Sequence, residues 1–102
     1  MIKHVVMFKL KDFENPSEKL AKMVEIKEAL EGLSACIEVV RGLRVDFNAN
    51  PAEEWDLILT SVFDTLEDVG TYAGHPAHVA VGKNIIGPVR TGRACVDYII
   101  EE

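Results

Sequence analysis

The sequence predicts an α+β domain: a β-α-β-β-α-β plaque of the ferredoxin-like type, with an antiparallel sheet and its helices on one face. Two observations carry this. Apolar residues alternate with period two in several short stretches, as half-buried strands require. Between them, apolar residues recur every three or four positions, as helices require. The stretches run strand-helix-strand twice over, and two such halves in succession give the split β-α-β arrangement.

Ile2 to Leu10 is the first strand. Ile2, His4, Val6, Phe8 and Leu10 share one face; Lys3, Val5, Met7 and Lys9 share the other, so both faces carry apolar side chains. Asn15-Pro16-Ser17 offers a helix start. Pro16 suits the first turn, where a missing N–H loses no partner, and Glu18 sits at the positive end of the helix dipole. From Ser17 to Leu33, the residues Leu20, Met23, Val24, Ile26, Leu30 and Leu33 form a broad apolar stripe. Lys27 falls within it and reads as a snorkelling lysine, its stem packed and its ammonium in water. Gly32 marks the end. Cys36 to Phe47 reads as the second strand, with Ile37, Val39, Arg41, Leu43, Val45 and Phe47 on one face. Gly42 within it suggests a bulge or a close backbone approach. Asn50-Pro51 marks a loop. Trp55 to Asp64 is the third strand, with Trp55, Leu57, Leu59, Ser61 and Phe63 on one side. Thr65 is the expected N-cap of a short helix reaching about Tyr72. A helix from His75 to Gly87 comes next, stopped by Gly87-Pro88. Cys95 to Ile100 is the last strand, with Val96, Tyr98 and Ile100 on one face and Cys95, Asp97 and Ile99 on the other.

The 102 residues are expected to form one domain, residues 1–102, with a modest core. An apolar fraction of 48% and a charged fraction of 27% set disorder aside. A formal net charge of −6 argues against nucleic acid and against anionic membranes, both of which attract basic surfaces. No apolar run reaches the ~20 residues that span a bilayer. The N-terminus is too evenly charged for a signal peptide. Cys36 and Cys95 make no disulfide framework; both fall in strand-like segments and read as buried free thiols of a reducing cytoplasm. With no CxxC, HExxH, phosphate loop or dinucleotide fingerprint, no cofactor and no strong metal site is expected. A weak magnesium site of backbone carbonyls would leave no sequence trace.

The stretch from Tyr72 to Val89 holds two of the three histidines. On a helix begun at His75-Pro76, His78, Val81, Gly82, Ile85 and Val89 share one face. An imidazole then sits on an apolar stripe beside a glycine that leaves open space. His4 lies on the apolar face of the first strand. Two imidazoles aimed at one interior make a candidate site for proton chemistry. The alternative is that each is a core residue with one satisfied hydrogen bond, the usual fate of a lone histidine on an apolar face. His75 reads as a solvent-facing residue whose imidazole caps the free N–H groups of the helix start.

Helices on one sheet face leave the other bare. That face carries Val5 and Met7, with Val40, Ile58 and Val62 on the neighbouring strands, and is too apolar to stay wet. A second copy of the chain is the expected cover, because two-fold homodimers are the commonest oligomers.

Three segments resemble a known family. The opening Ile2-Lys3-His4-Val5-Val6-Met7-Phe8-Lys9-Leu10-Lys11, the segment Tyr72-Ala-Gly-His75-Pro76-Ala-His78-Val79-Ala-Val-Gly82, and the closing Arg93-Ala-Cys-Val-Asp97-Tyr98 are similar to the stress-responsive A/B barrel domain family. The resemblance covers nearly the whole chain. It implies a ferredoxin-like monomer that pairs into a dimeric α+β barrel. It does not imply one function: plant members include stress-response proteins and a polyketide cyclase that closes a tetraketide by aldol condensation. The working residues of that cyclase map by motif position onto His4, Tyr72 and His78. Its tyrosine on the first helix has no counterpart here, where the aligned region offers Ile26 or Lys27. The shared scaffold also hosts cofactor-free monooxygenases.

An aldol-type cyclisation needs a base to take a proton beside a carbonyl and a donor to stabilise the developing oxyanion. His78 is the expected base, assisted by Tyr72, with His4 as partner donor or substrate positioner. Asp97 is a carboxylate able to orient an imidazole. Val6 and Phe8 on the strand, with Val81, Gly82 and Ile85 on the helix, are expected to line a pocket for a small apolar or aromatic ligand. Three functions stay open: a homodimeric small-molecule-binding protein without chemistry, a cofactor-free cyclase or lyase, and a purely structural module. An enzyme needs an enclosed cavity that both imidazoles reach; large side chains filling that volume favour the other two.

Overall fold

A computed structural model describes residues 1–101 of the chain. Its elements run in the order β1 (Ile2–Leu10), α1 (Pro16–Glu31), β2 (Gly42–Phe47), β3 (Leu57–Phe63), α2 (Leu66–Gly74), α3 (Pro76–Val81) and β4 (Arg90–Ile99). The sheet is antiparallel throughout, in the order β2-β3-β1-β4. This is the expected ferredoxin-like plaque. Among the described residues no helix is long and apolar enough to cross a membrane.

Short polar side chains set the helix starts. Asn15 accepts from the Glu18 N–H at 2.8 Å, and Pro16 stands in the first turn of α1. The Thr65 hydroxyl accepts from the Asp68 N–H at 3.1 Å and starts α2. The His75 imidazole does the same for α3, accepting from the Ala77 N–H at 3.0 Å ahead of Pro76. Period-two alternation then delivers the core. Val6, Phe8 and Leu10 of β1 and Leu57, Leu59 and Phe63 of β3 meet Ile26 and Leu30 of α1 and Val69 and Tyr72 of α2 in one buried cluster. Lys27 snorkels as expected, but to protein groups: its ammonium donates to Glu31 at 2.7 Å and to the Val45 carbonyl at 2.6 Å. Leu20 and Val24, on the expected stripe of α1, are exposed instead.

Five expectations are corrected. The second strand starts at Gly42, not Cys36. A tight 3₁₀ turn at Gly32–Ala35 prolongs α1, the Ile37 N–H donates back to the Leu33 carbonyl at 2.9 Å, and Ile37 drops into the core. The chain reaches the sheet only where the Arg41 N–H donates to the Val62 carbonyl at 2.8 Å. Cys36 is consequently exposed and Cys95 only half-buried, so neither is a fully buried thiol. Gly42 pairs regularly with Val62 and carries no bulge; the sheet's irregularity lies between β1 and β4, at Lys9 and Leu10. The expected His75–Gly87 helix divides: α3 ends at Val81, and Gly82–Ile86 form a wide turn of π type, closed by the Gly87 N–H donating to the Gly82 carbonyl at 2.7 Å. The last strand begins at Arg90, five residues before the expected Cys95.

Candidate active site

Between the sheet and the second-half helices lies a cavity of about 380 Å³. Its wall includes His4, Val6 and Phe8 of β1, Tyr72 of α2, His78 of α3, and Gly82. The two imidazoles expected to converge do so, with Tyr72 between them: its ring centroid is 4.5 Å from that of His78 and 6.2 Å from that of His4. Val81 and Ile85, also expected on this wall, pack against the core instead, and Ile86 takes the place of Ile85. The π turn accounts for the exchange of Ile85 for Ile86, because an extra residue per turn rotates the side chains it carries by roughly 100°. Ile26 is fully buried in the core, and the α1 side chain on the cavity wall is Leu30.

His4 is buried on β1, and the neighbouring strands β3 and β4 hold it from both sides. Its carbonyl accepts from the buried Ser61 hydroxyl at 3.1 Å on β3. Its Nδ1 meets the Asp97 carboxylate at 2.5 Å, because antiparallel pairing sets Asp97 of β4 opposite it. A carboxylate only accepts, so Nδ1 carries a hydrogen; a lone pair on this ring can lie only at Nε2. Asp97 thus fixes the tautomer of His4.

His78 is half-buried. Its Nδ1–H donates to the Ala73 carbonyl at 2.9 Å, which again leaves Nε2 as the acceptor. Burial holds its pKa below the ordinary 6.5; the Ala73 carbonyl pulls the other way, and His4, Arg93 and His75 lower it further. A neutral imidazole at pH 7 is the form a general base needs.

Tyr72 is fully buried, and burial pushes its pKa up to about 12. It keeps its proton at neutral pH and acts only as donor or acceptor. Its hydroxyl has no hydrogen-bond partner among the described residues. Leaving a buried hydroxyl unpaired costs about 1–3 kcal/mol, so each such case calls for a reason. His4 Nδ1, the Cys95 thiol and the Asp97 carboxylate lie within 4.8 Å of one another, a donor set able to hold a divalent ion. In the described state the His4–Asp97 bond engages two of the three.

Lys83, Arg90 and Arg93, not expected there from the sequence, also line the cavity. Apolar alternation starts the last strand only at Cys95; the family resemblance reaches back to Arg93, and Arg90 had no signal.

Fold and site together define a small ferredoxin-like domain with a histidine- and tyrosine-lined cavity between sheet and helices. The model of the stress responsive A/B barrel domain family matches residues 2–100, and the chain belongs to that family. Two stress-response A/B barrel domain-containing proteins of Arabidopsis thaliana are similar. One is 30% identical over 99% of this chain and 37% of its own length. The other is 31% identical over 100% of this chain and 48% of its own length. The chain therefore spans less than half the length of either. A dimeric protein of ferredoxin-like fold from Bacteroides fragilis superposes with a TM-score of 0.89 at 49% identity, covering 97% of this chain and 95% of that one.

Proposed function

We propose that this domain works as a homodimer and binds a small molecule in the cavity lined by His4, Tyr72 and His78. The observation that carries it is the buried, unpartnered hydroxyl of Tyr72, one of the residues that line the cavity. A ligand carbonyl or hydroxyl would satisfy it. The cavity is near the lower end of the roughly 300–1,000 Å³ range of small-molecule pockets. The half-buried imidazole beside it favours a second, chemical reading: cofactor-free proton transfer of the cyclase or lyase type. His78 Nε2 takes a proton beside a carbonyl, and Tyr72 donates to the oxygen that becomes negative. His4, its tautomer fixed by Asp97, positions the substrate or passes the proton on. Such acid–base groups typically contribute about 10²–10⁴-fold each. The exposed free thiol of Cys36 fits a reducing compartment such as the cytoplasm.

The test uses Tyr72→Phe and a neutral carbonyl probe, 2-acetonaphthone, observed by NMR on the full chain. The probe is expected to shift the His78 and Tyr72 signals and to bind the variant several-fold more weakly. The variant itself should melt no lower than the parent, because it loses an unpaired buried hydroxyl; a gain of ~1 kcal/mol would be about 4–8 °C. A lower melting temperature with unchanged probe binding would return Tyr72 to the core.

A further inference from the structure

We propose that the cavity's ligand is an anion: an apolar-bodied carboxylate whose charged end is held by Arg90 and Arg93, with Lys83 beside them. This rests on the cavity being a binding site, as proposed above, and adds the class of molecule it takes.

The charges around the cavity are the first ground. The chain has 17 acidic and 11 basic side chains, yet among the described residues the cavity wall carries Lys83, Arg90 and Arg93 and no acid. Six of the 11 basic residues, Lys9, Lys19, Lys22, Lys27, Arg41 and Arg44, are ion-paired. None of the three at the cavity is ion-paired among the described residues. Asp97, the acid nearest them along β4, is engaged by His4. An acidic protein thus keeps a local positive field at one opening, where it raises the concentration of anions.

The second ground is how β4 delivers them. In a regular strand, residues three apart point to opposite faces. Here the register slips at Lys9 and Leu10, so Arg93 lies opposite Phe8 and Arg90 opposite Leu10. Phe8 and Leu10 both belong to the buried, helix-facing side of β1. The bulge therefore turns both guanidinium groups to the cavity side, a re-aiming that bulges commonly perform. Arginine forks match a carboxylate in shape as well as charge. Val6, Phe8, Leu59 and Ile86 supply apolar wall for the rest of the molecule.

The experiment titrates the full chain with shape-matched pairs, 2-naphthoate against 2-acetonaphthone and octanoate against 2-nonanone. The carboxylate of each pair is expected to bind about tenfold tighter, the size of one charge-assisted hydrogen bond. It should shift the His78 and Tyr72 signals and weaken with added salt. In the Arg90→Gln/Arg93→Gln double variant the preference should fall to within about twofold, while ketone binding stays as in the parent. Both arginines are exposed, and the variant's melting curve checks its fold. Equal affinity for acid and ketone overturns the anion inference and leaves the cavity reading standing. Carboxylate binding that ignores the double variant, or leaves the His78 signal unmoved, overturns it as well. If none of the four probes binds, both readings fall.

Discussion

His78 shows how one side chain ties the fold to its chemistry through pH. Its imidazolium is disfavoured in the folded state chiefly by burial. Below the ordinary value of 6.5 the unfolded chain therefore binds more protons here than the folded one does. The stability that neutral His78 contributes is complete above 6.5 and is lost as the pH falls through the lowered folded value. Urea unfolding between about pH 5 and 8 should show this decline. In His78→Ala the slope should be shallower; an identical slope would mean that His78 titrates alike in both states. The convergence of His4, Tyr72 and His78 was legible beforehand, because strict alternation fixes the face of His4 and the Tyr-x-x-His-Pro-x-His spacing fixes that of His78. The tautomers were not legible. They depend on Asp97 and the Ala73 carbonyl, whose positions come from strand pairing and a helix junction.

At the level of elements, the π turn after α3 decides which side chains reach the cavity, and Gly87 permits that turn. A Cβ at Gly87 would meet the Gly82 carbonyl oxygen at 2.9 Å and the Lys83 carbonyl oxygen at 3.3 Å, both backbone atoms with little room to yield. Gly87→Ala should therefore destabilise by about 1–3 kcal/mol and lower the melting temperature accordingly. It should also displace Ile86 and weaken probe binding, which a purely local strain would leave intact. An unchanged melting curve would show that the turn relaxes freely. Two elements depart from their sequence pattern for related reasons. Cys36–Arg41 alternates like a strand, yet the 3₁₀ turn sends Ile37 into the core, and hydrogen bonds rather than hydrophobicity decide where β2 begins. The polar Arg90–Arg93 segment lacks apolar alternation, yet backbone pairing takes it into the sheet, with Arg93 opposite Phe8 and Arg90 opposite Leu10.

For the whole molecule, the unfinished surface is the sheet face away from the helices. Val5 and Met7 of β1 and Ile58 of β3 are only half-buried there, and Val96 and Tyr98 of β4 stay 61% and 43% exposed. A hollow lined by Met7, Trp55 and Ile58 opens on the same side. Contiguous apolar surface of this kind marks an interaction site. The Bacteroides fragilis relative is itself a dimer. Two copies packed face to face would bury these residues twice over by symmetry, since a two-fold interface uses the same patch on both partners. One added charge therefore enters the interface twice, unpaired and desolvated. Ile58→Lys, and separately Val5→Glu, should convert a dimer into a monomer in sedimentation equilibrium at micromolar concentration. Glu28→Lys on the exposed side of α1 tests whether any charge change suffices, and should leave the dimer in place. A parent that sediments as a stable monomer, or an Ile58→Lys variant that stays dimeric, would remove this face as the interface. The cavity lies on the opposite side of the sheet, so Ile58→Lys should still bind 2-naphthoate; loss of binding in a folded monomer would mean that the partner completes the site.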